Sequence, residues 1–165
     1  MKTSIPVLFI FLLLTGYSCK ESVDPEAEKA AIIAVIEAEQ EAYFEQDLEK
    51  MIGTWKQDTS SRKILSGRGH EDYIEIRGWT ALYEENKKNL SLLPGALDGI
   101  QLTNSSIEIQ LYTNTALVYH DAIWSGSFED EEWAWVQKRI LHLVKVDTAW
   151  KIDLMYMYNM PDETY

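Results

Sequence analysis

Glu39 is the residue whose position most asks for chemistry. It falls on a stripe made by Ile32, Val35, Ile36, Glu39, Ala42 and Tyr43. That i, i+3, i+4, i+7, i+10, i+11 spacing is one face of a helix. A carboxylate on a buried face costs several kcal/mol unless it is paired or protonated. Such a group acts as a general acid/base with a raised pKa, or else it is paired structurally with His142 or Lys63, or reaches solvent. His142 sits mid-strand between Leu141 and Leu143 and shares a face with Ile140 and Val144. It is a candidate base or ligand-orienting donor, with a hydrogen-bonded core histidine as the bland alternative. His120 is next to Asp121, but strand neighbours point to opposite faces, so the two form no dyad. His70-Glu71-Asp72 has the composition of a metal cluster without ligand spacing or a supporting cysteine, so no metal is expected. The Glu129–Glu132 run lacks the spacing of a calcium loop and reads as an acidic hairpin tip.

The elements that must position these groups are legible. Asp24 and Pro25 open a helix over 26–46, rich in Ala, Glu and Ile. Asp47 caps a second helix, 48–55, burying Leu48, Met51, Ile52 and Trp55. Residues 56–77 are polar and irregular, with room for short strands near 62–65 and 73–76. Gly78 precedes a third helix, 79–93, whose stripe of Trp79, Leu82, Tyr83, Asn86, Leu90 and Leu93 contains one amide; Pro94-Gly95 ends it. From Gly99 on the texture is β: strands near 100–112, 116–128, 133–146 and 149–159. Three helices followed by a four-stranded meander make an α+β arrangement.

The single cysteine, Cys19, lies at the end of a leader that starts Met1-Lys2, runs apolar from Ile5 to Leu14 and closes Thr15-Gly16-Tyr17-Ser18. A charged start, a short apolar core and a small-residue exit are the layout of a secretory signal, too short to span a bilayer. The segment resembles a bacterial lipoprotein signal, although Gly16 and Tyr17 depart from the strict pattern; ordinary cleavage after Ser18 is the alternative. The resemblance implies lipidation at Cys19, a cell-envelope location and, with Lys20 following, the outer membrane, on its periplasmic or surface side. The expected organisation is a removed signal over 1–18, a lipidated cysteine and tether over 19–25, and one domain over 26–160.

Composition narrows the partners. Twenty-seven acidic against 15 basic residues give a net charge of −12 over 165 residues, which argues against nucleic acid. The C-terminal strands carry Trp124, Trp133, Trp135, Trp150, Tyr156 and Tyr158 and are apolar on both sides in places. A covered second face fits a homodimer through the sheet.

The long first helix ending in Asp47-Leu48, Trp55-x-x-Asp58, Gly78-Trp79, the Asn114-Thr115-Ala116-Leu117-Val118 strand start and Val144-Lys145-Val146-Asp147-x-x-Trp150-Lys151-Ile152 together resemble the nuclear transport factor two-like superfamily, in its SnoaL-like branch. The resemblance implies a cone: three N-terminal helices packed into a strongly curved antiparallel sheet, with a pocket at the wide end. The superfamily spans isomerases, dehydratases, hydrolases and non-catalytic binding domains, so fold leaves activity open. Counted from Asp47 and Lys151, the oxyanion donors of the family's ketosteroid isomerases fall on Glu39 and His142, and the proton-shuttling carboxylate falls at Lys63. The isomerase set is absent. What the count leaves is a Glu39/His142 pair facing one cavity, lined by Tyr43, Trp55, Tyr83 and Asn86, with core packing as the alternative for these four. The expectation is a domain that binds a small organic ligand without a cofactor. Its alternatives are a cofactor-independent isomerase, dehydratase or hydrolase using Glu39 and His142, or an envelope interaction module.

Overall fold

The computed structural model describes residues 24–67 and 73–160. The leader, Cys19 and the His70-Glu71-Asp72 run lie outside the described residues. Helix α1 (Pro25–Phe44) starts as expected: Asp24 accepts a hydrogen bond from the Glu26 amide at 3.0 Å, with Pro25 in the first turn. Asp47 does the same for α2 (Leu48–Thr54), accepting from the Lys50 amide at 3.0 Å. Strands β1 (Arg62–Ser66) and β2 (Tyr73–Arg77) follow, then α3 (Trp79–Ser91), β3 (Gln101–Leu111), β4 (Thr115–Phe128), β5 (Glu131–Val146) and β6 (Ala149–Asn159). Gly78 precedes α3 at φ 79°, a left-handed conformation that suits glycine.

The α+β class stands, with two corrections. The helices do not all precede the sheet, because the β1–β2 hairpin separates α2 from α3. The sheet has six strands, not four, in the order β2-β1-β6-β5-β4-β3. It is mixed: β1 lies parallel to β6, and the other neighbours are antiparallel. The short strands of the polar segment therefore extend the meander at its β6 edge.

The helices cover one face of this sheet, and pairing sorts that face into tiers. Leu111, Ala116, Leu143 and Ile152 form one row across β3, β4, β5 and β6. Ile109, Val118, Leu141, Met155 and Lys63 form the next, reaching β1. Then come His120, Arg139, Met157 and Leu65. Asn104, Ala122, Gln137 and Asn159 follow, and last Leu102, Trp124 and Trp135.

Each tier is two strand residues, about 6.7 Å, from the next. Four residues of helix rise about 6 Å, so α1 meets the tiers nearly in step. Ile32 and Ile36 join the core with Leu141, Leu143 and Ile152. Further along, Gln40 and Asn104 exchange two amide hydrogen bonds of 2.6 and 2.8 Å. At the end, Tyr43 and Phe44 meet Trp124, with ring centroids 6.1 and 5.9 Å away, and Trp124 stacks on Trp135 at 5.5 Å. At the start of α1, Glu28 accepts from Lys145 and Trp150, each at 2.6 Å. A second small core, Ala42, Met51 and Leu90, joins the three helices.

Candidate functional site

Between the apolar tiers and the aromatic one lies a band of buried polar groups. Glu39 comes from α1, Lys63 from β1, Asn86 from α3, His120 from β4 and Arg139 from β5. All five residues are less than a tenth exposed. They come from five elements, so the tertiary fold assembles the band, and no local motif does.

The contacts within it are sparse. Lys63 Nζ donates to Asn86 Oδ1 at 3.4 Å. Arg139 Nε donates to Gln137 Oε1 at 2.6 Å, and Gln137 Nε2 donates to Asn159 Oδ1 at 2.9 Å. Among the described residues, Glu39 makes no ion pair within 4.0 Å. It nonetheless acts on Lys63, Arg139 and Tyr43 through space. Three buried charges thus share one interior without closing on one another. Burial of this kind is costly when charges are not in contact.

The ionisation of the band reflects that cost. Burial pushes the Lys63 ammonium below its ordinary range, with the Arg139 charge adding to the effect and Glu39 opposing it. Burial likewise works against the charge on Arg139, again opposed by Glu39. His120 is lowered to about 4 by burial first and the Arg139 charge second, with Asp121 weakly opposing. The His120 ring is therefore neutral at pH 7. Burial and the Glu39 charge raise the Tyr43 phenol.

Buried polar atoms without partners concentrate here and beside it. They are Asn86 Nδ2, both His120 ring nitrogens, Trp55 Nε1 and Trp124 Nε1. Three of these are obligate donors, and a neutral imidazole supplies one donor and one acceptor. Most buried polar atoms in folded proteins are satisfied, so these atoms mark the part of the interior where water or a bound group would find donors to meet.

The expected site residues divide. Glu39 and Asn86 lie in the band. Tyr43 is half-buried at its aromatic end. Trp55 is 1% exposed within the apolar core, bridged to Ile152, and so is mainly packing. Tyr83 packs on Trp79 and under Lys87 along α3, apart from the charged groups. His142 is not brought to Glu39. Leu141 and Leu143 point into the core, so strand alternation turns His142 to the opposite face. There its Nδ1 lies 3.4 Å from Asp153 Oδ2. The Glu39/His142 juxtaposition is thus corrected: the charges Glu39 acts on through space are those of Lys63 and Arg139. His120 and Asp121 do point apart, Asp121 pairing with Lys138 at 2.7 Å.

Sequence reasoning missed Arg139 and weighed His120 without joining it to Glu39. The signal for Arg139 was present, because it shares alternate positions with Leu141 and Leu143. Two surface grooves lie elsewhere: about 470 Å³ beside Ser125, Gly126 and Trp133, and about 730 Å³ beside Asp58, Gly78 and Trp79. Neither is lined by a residue of the band.

Solved structures share this architecture. A protein of unknown function from Pseudomonas putida, described as NTF2-like, superposes with a TM-score of 0.67 at 11% identity, over 84% of this chain and 91% of that one. The fold is NTF2-like. A second NTF2-like protein of unknown function, from Shewanella oneidensis, gives 0.56 at 20% identity over 79% and 98% of the two chains. The CaMKII hub of S. rosetta gives 0.61 at 14% identity over 79% and 95%. No family model matches the sequence, and no curated protein matches it. No helix among the described residues is long and apolar enough to cross a membrane.

Proposed function

We propose that this chain is an exported bacterial envelope protein, lipid-anchored at Cys19, whose SnoaL-like domain binds a small organic molecule between α1 and the sheet. The observation that carries the binding reading is the buried band of Glu39, Lys63, Asn86, His120 and Arg139, with its unpartnered atoms and separated charges. Apolar tiers on one side and aromatic rings on the other suit a ligand with an apolar body and a polar head. The reading is binding without assigned catalysis. An acid–base pair of Glu39 and His142 is not carried forward, because the two face opposite sides of the sheet.

The test is a panel of small organic compounds screened by tryptophan emission and thermal shift. Trp124 borders the band, so occupancy is expected to change its emission. A panel in which no compound shifts either signal overturns the binding reading. For the anchor, Cys19→Ala is expected to release the protein from the membrane fraction and abolish radiolabelled fatty-acid incorporation. Continued labelling of that variant refutes lipidation at Cys19.

A homodimer through the outer sheet face belongs to the same reading. Tyr119, Ile140, Tyr156 and Ile64 form one continuous row there across four strands. Ile140→Glu is expected to convert dimer to monomer in light scattering. A wild-type protein that is already monomeric refutes it.

A further inference from the structure

We infer that the interior site takes a small organic anion, a carboxylate or a group of similar shape, held by Arg139 and Lys63. This rests on the binding reading above and names its ligand class.

The charge inventory is the first support. The whole chain is acidic, 27 carboxylates against 15 cations. Among the described residues, the buried charged ones reverse that balance: Lys63 and Arg139 against Glu39. An acidic protein that encloses more positive than negative charge has an interior in which one further anion would be neutralising.

The donor inventory is the second, and it is independent of charge. Trp124 Nε1 and Asn86 Nδ2 are buried donors without acceptors, and His120 adds a donor from its neutral ring. Such a surplus is met by a ligand rich in acceptors. An amine or other cationic head would add donors to donors and a third positive charge.

The third is the setting of the guanidinium. Nε is taken by Gln137, whose own amide is held by Asn159. Among the described residues, no hydrogen bond or ion pair occupies the two terminal nitrogens. That relay fixes the plane of the fork and leaves its terminal edge for a two-oxygen acceptor, the geometry in which arginine binds carboxylates. Lys63, held by a single 3.4 Å contact to Asn86, supplies a second counter-charge. Val118, Leu141 and Met155 beneath and the Tyr43–Trp124 rings above would meet the ligand's apolar body.

The experiment compares matched compounds that differ only in the head group: phenylacetate, phenylacetamide and phenethylamine, with hexanoate, hexanamide and hexylamine as a second series. Dissociation constants are read by calorimetry and tryptophan emission on the purified protein at pH 7. The expected result is a carboxylate preference of about tenfold or more over the amide, with no binding of the amine. Arg139→Gln should erase the preference and Lys63→Met should reduce it, each confirmed folded by circular dichroism. The wild-type comparison alone decides the matter if a variant fails to fold. Amide or amine binding as tight as carboxylate overturns the anion assignment while leaving a binding site in place. No binding by any member of either series overturns both.

Discussion

His120 should make this protein acid-sensitive in a measurable and removable way. Its ring is 2% exposed and neither nitrogen has a hydrogen-bond partner. Burial and the Arg139 charge hold its folded-state pKa near 4, against 6.5 when free. Between those values the unfolded chain binds a proton that the folded chain does not. Stability therefore rises with pH across this window and is lost as pH falls through it. Summed over the titration, the shift costs about 3 kcal/mol at full protonation, and about 2 kcal/mol between pH 7 and pH 5. The perturbation is His120→Phe, which keeps a ring, removes the titration and deletes two unsatisfied nitrogens. At pH 7 the variant should be as stable as the wild type or slightly more so, because buried unpaired polar atoms are themselves costly. Urea unfolding at pH 7 and pH 5 gives the test. The wild type should lose about 2 kcal/mol more than the variant over that interval. Equal losses in both proteins would show that His120 does not carry the acid dependence. So would a His120 ring found protonated at pH 5.5 by NMR, since that would contradict its burial beside Arg139.

Three other expectations follow from the same interior. Lys63→Met removes a buried cation that no carboxylate contacts, so it should stabilise the ligand-free protein by about 1–3 kcal/mol in urea titrations; a loss would mean the charge is better compensated than its contacts indicate. Asn104→Ala should cost about 1–2 kcal/mol by leaving the Gln40 amide unpaired, and adding Gln40→Ala should cost little more, a coupling that a double-mutant cycle reads directly. Glu28→Gln should lower the melting temperature at neutral pH. Lys145 and Trp150 hold the Glu28 carboxyl below its usual range, so that contribution is present above the free carboxylate pKa and fades as pH falls through the folded value; an unchanged melting temperature at pH 7 would refute the clamp.

How much of this was legible in the sequence depends on the range of the interactions. Caps were legible because Asp24 and Asp47 act within three residues of themselves. The C-terminal strands were legible because alternation and turn residues are local signals: Asp147-Thr148 forms the expected two-residue turn between paired Val146 and Ala149, with Asp147 at φ 55°. The α1 stripe correctly placed Glu39 in the interior. Of the two cations near it, Lys63 was named only as one alternative partner, and Arg139 was not named. Lys63 stands in a five-residue strand within polar, irregular sequence, and its burial comes from pairing with β6, about ninety residues away. The error on His142 was one of face, not of strand. Its neighbours Leu141 and Leu143 are the core residues, and the same parity puts Arg139 inward. A family count that lands on a position carries no information about which way that side chain points. Alternation does, and here it favoured Arg139.

The interior band is hard to explain by folding alone. The tiers beneath it show that α1 and the sheet can be joined by Ile32, Ile36, Leu141, Leu143 and Ile152, with no polar atom in their side chains. Continuing that pattern through Glu39, Lys63 and Arg139 would remove three buried charges and their desolvation cost, and replacement of buried ionic groups by apolar ones of similar volume is often neutral or stabilising. A structural ion pair would at least bring the charges into contact, and these are kept apart. A specificity device would need partners that fix the register, yet the register of β4, β5 and β6 is already set by the apolar rows and by the β4–β5 and β5–β6 hairpins. On the proposed binding reading, the band has a role that is realised when a ligand enters the interior. The first molecule to try there is a carboxylate, because it would satisfy the excess of positive charge and the excess of donors at the same time.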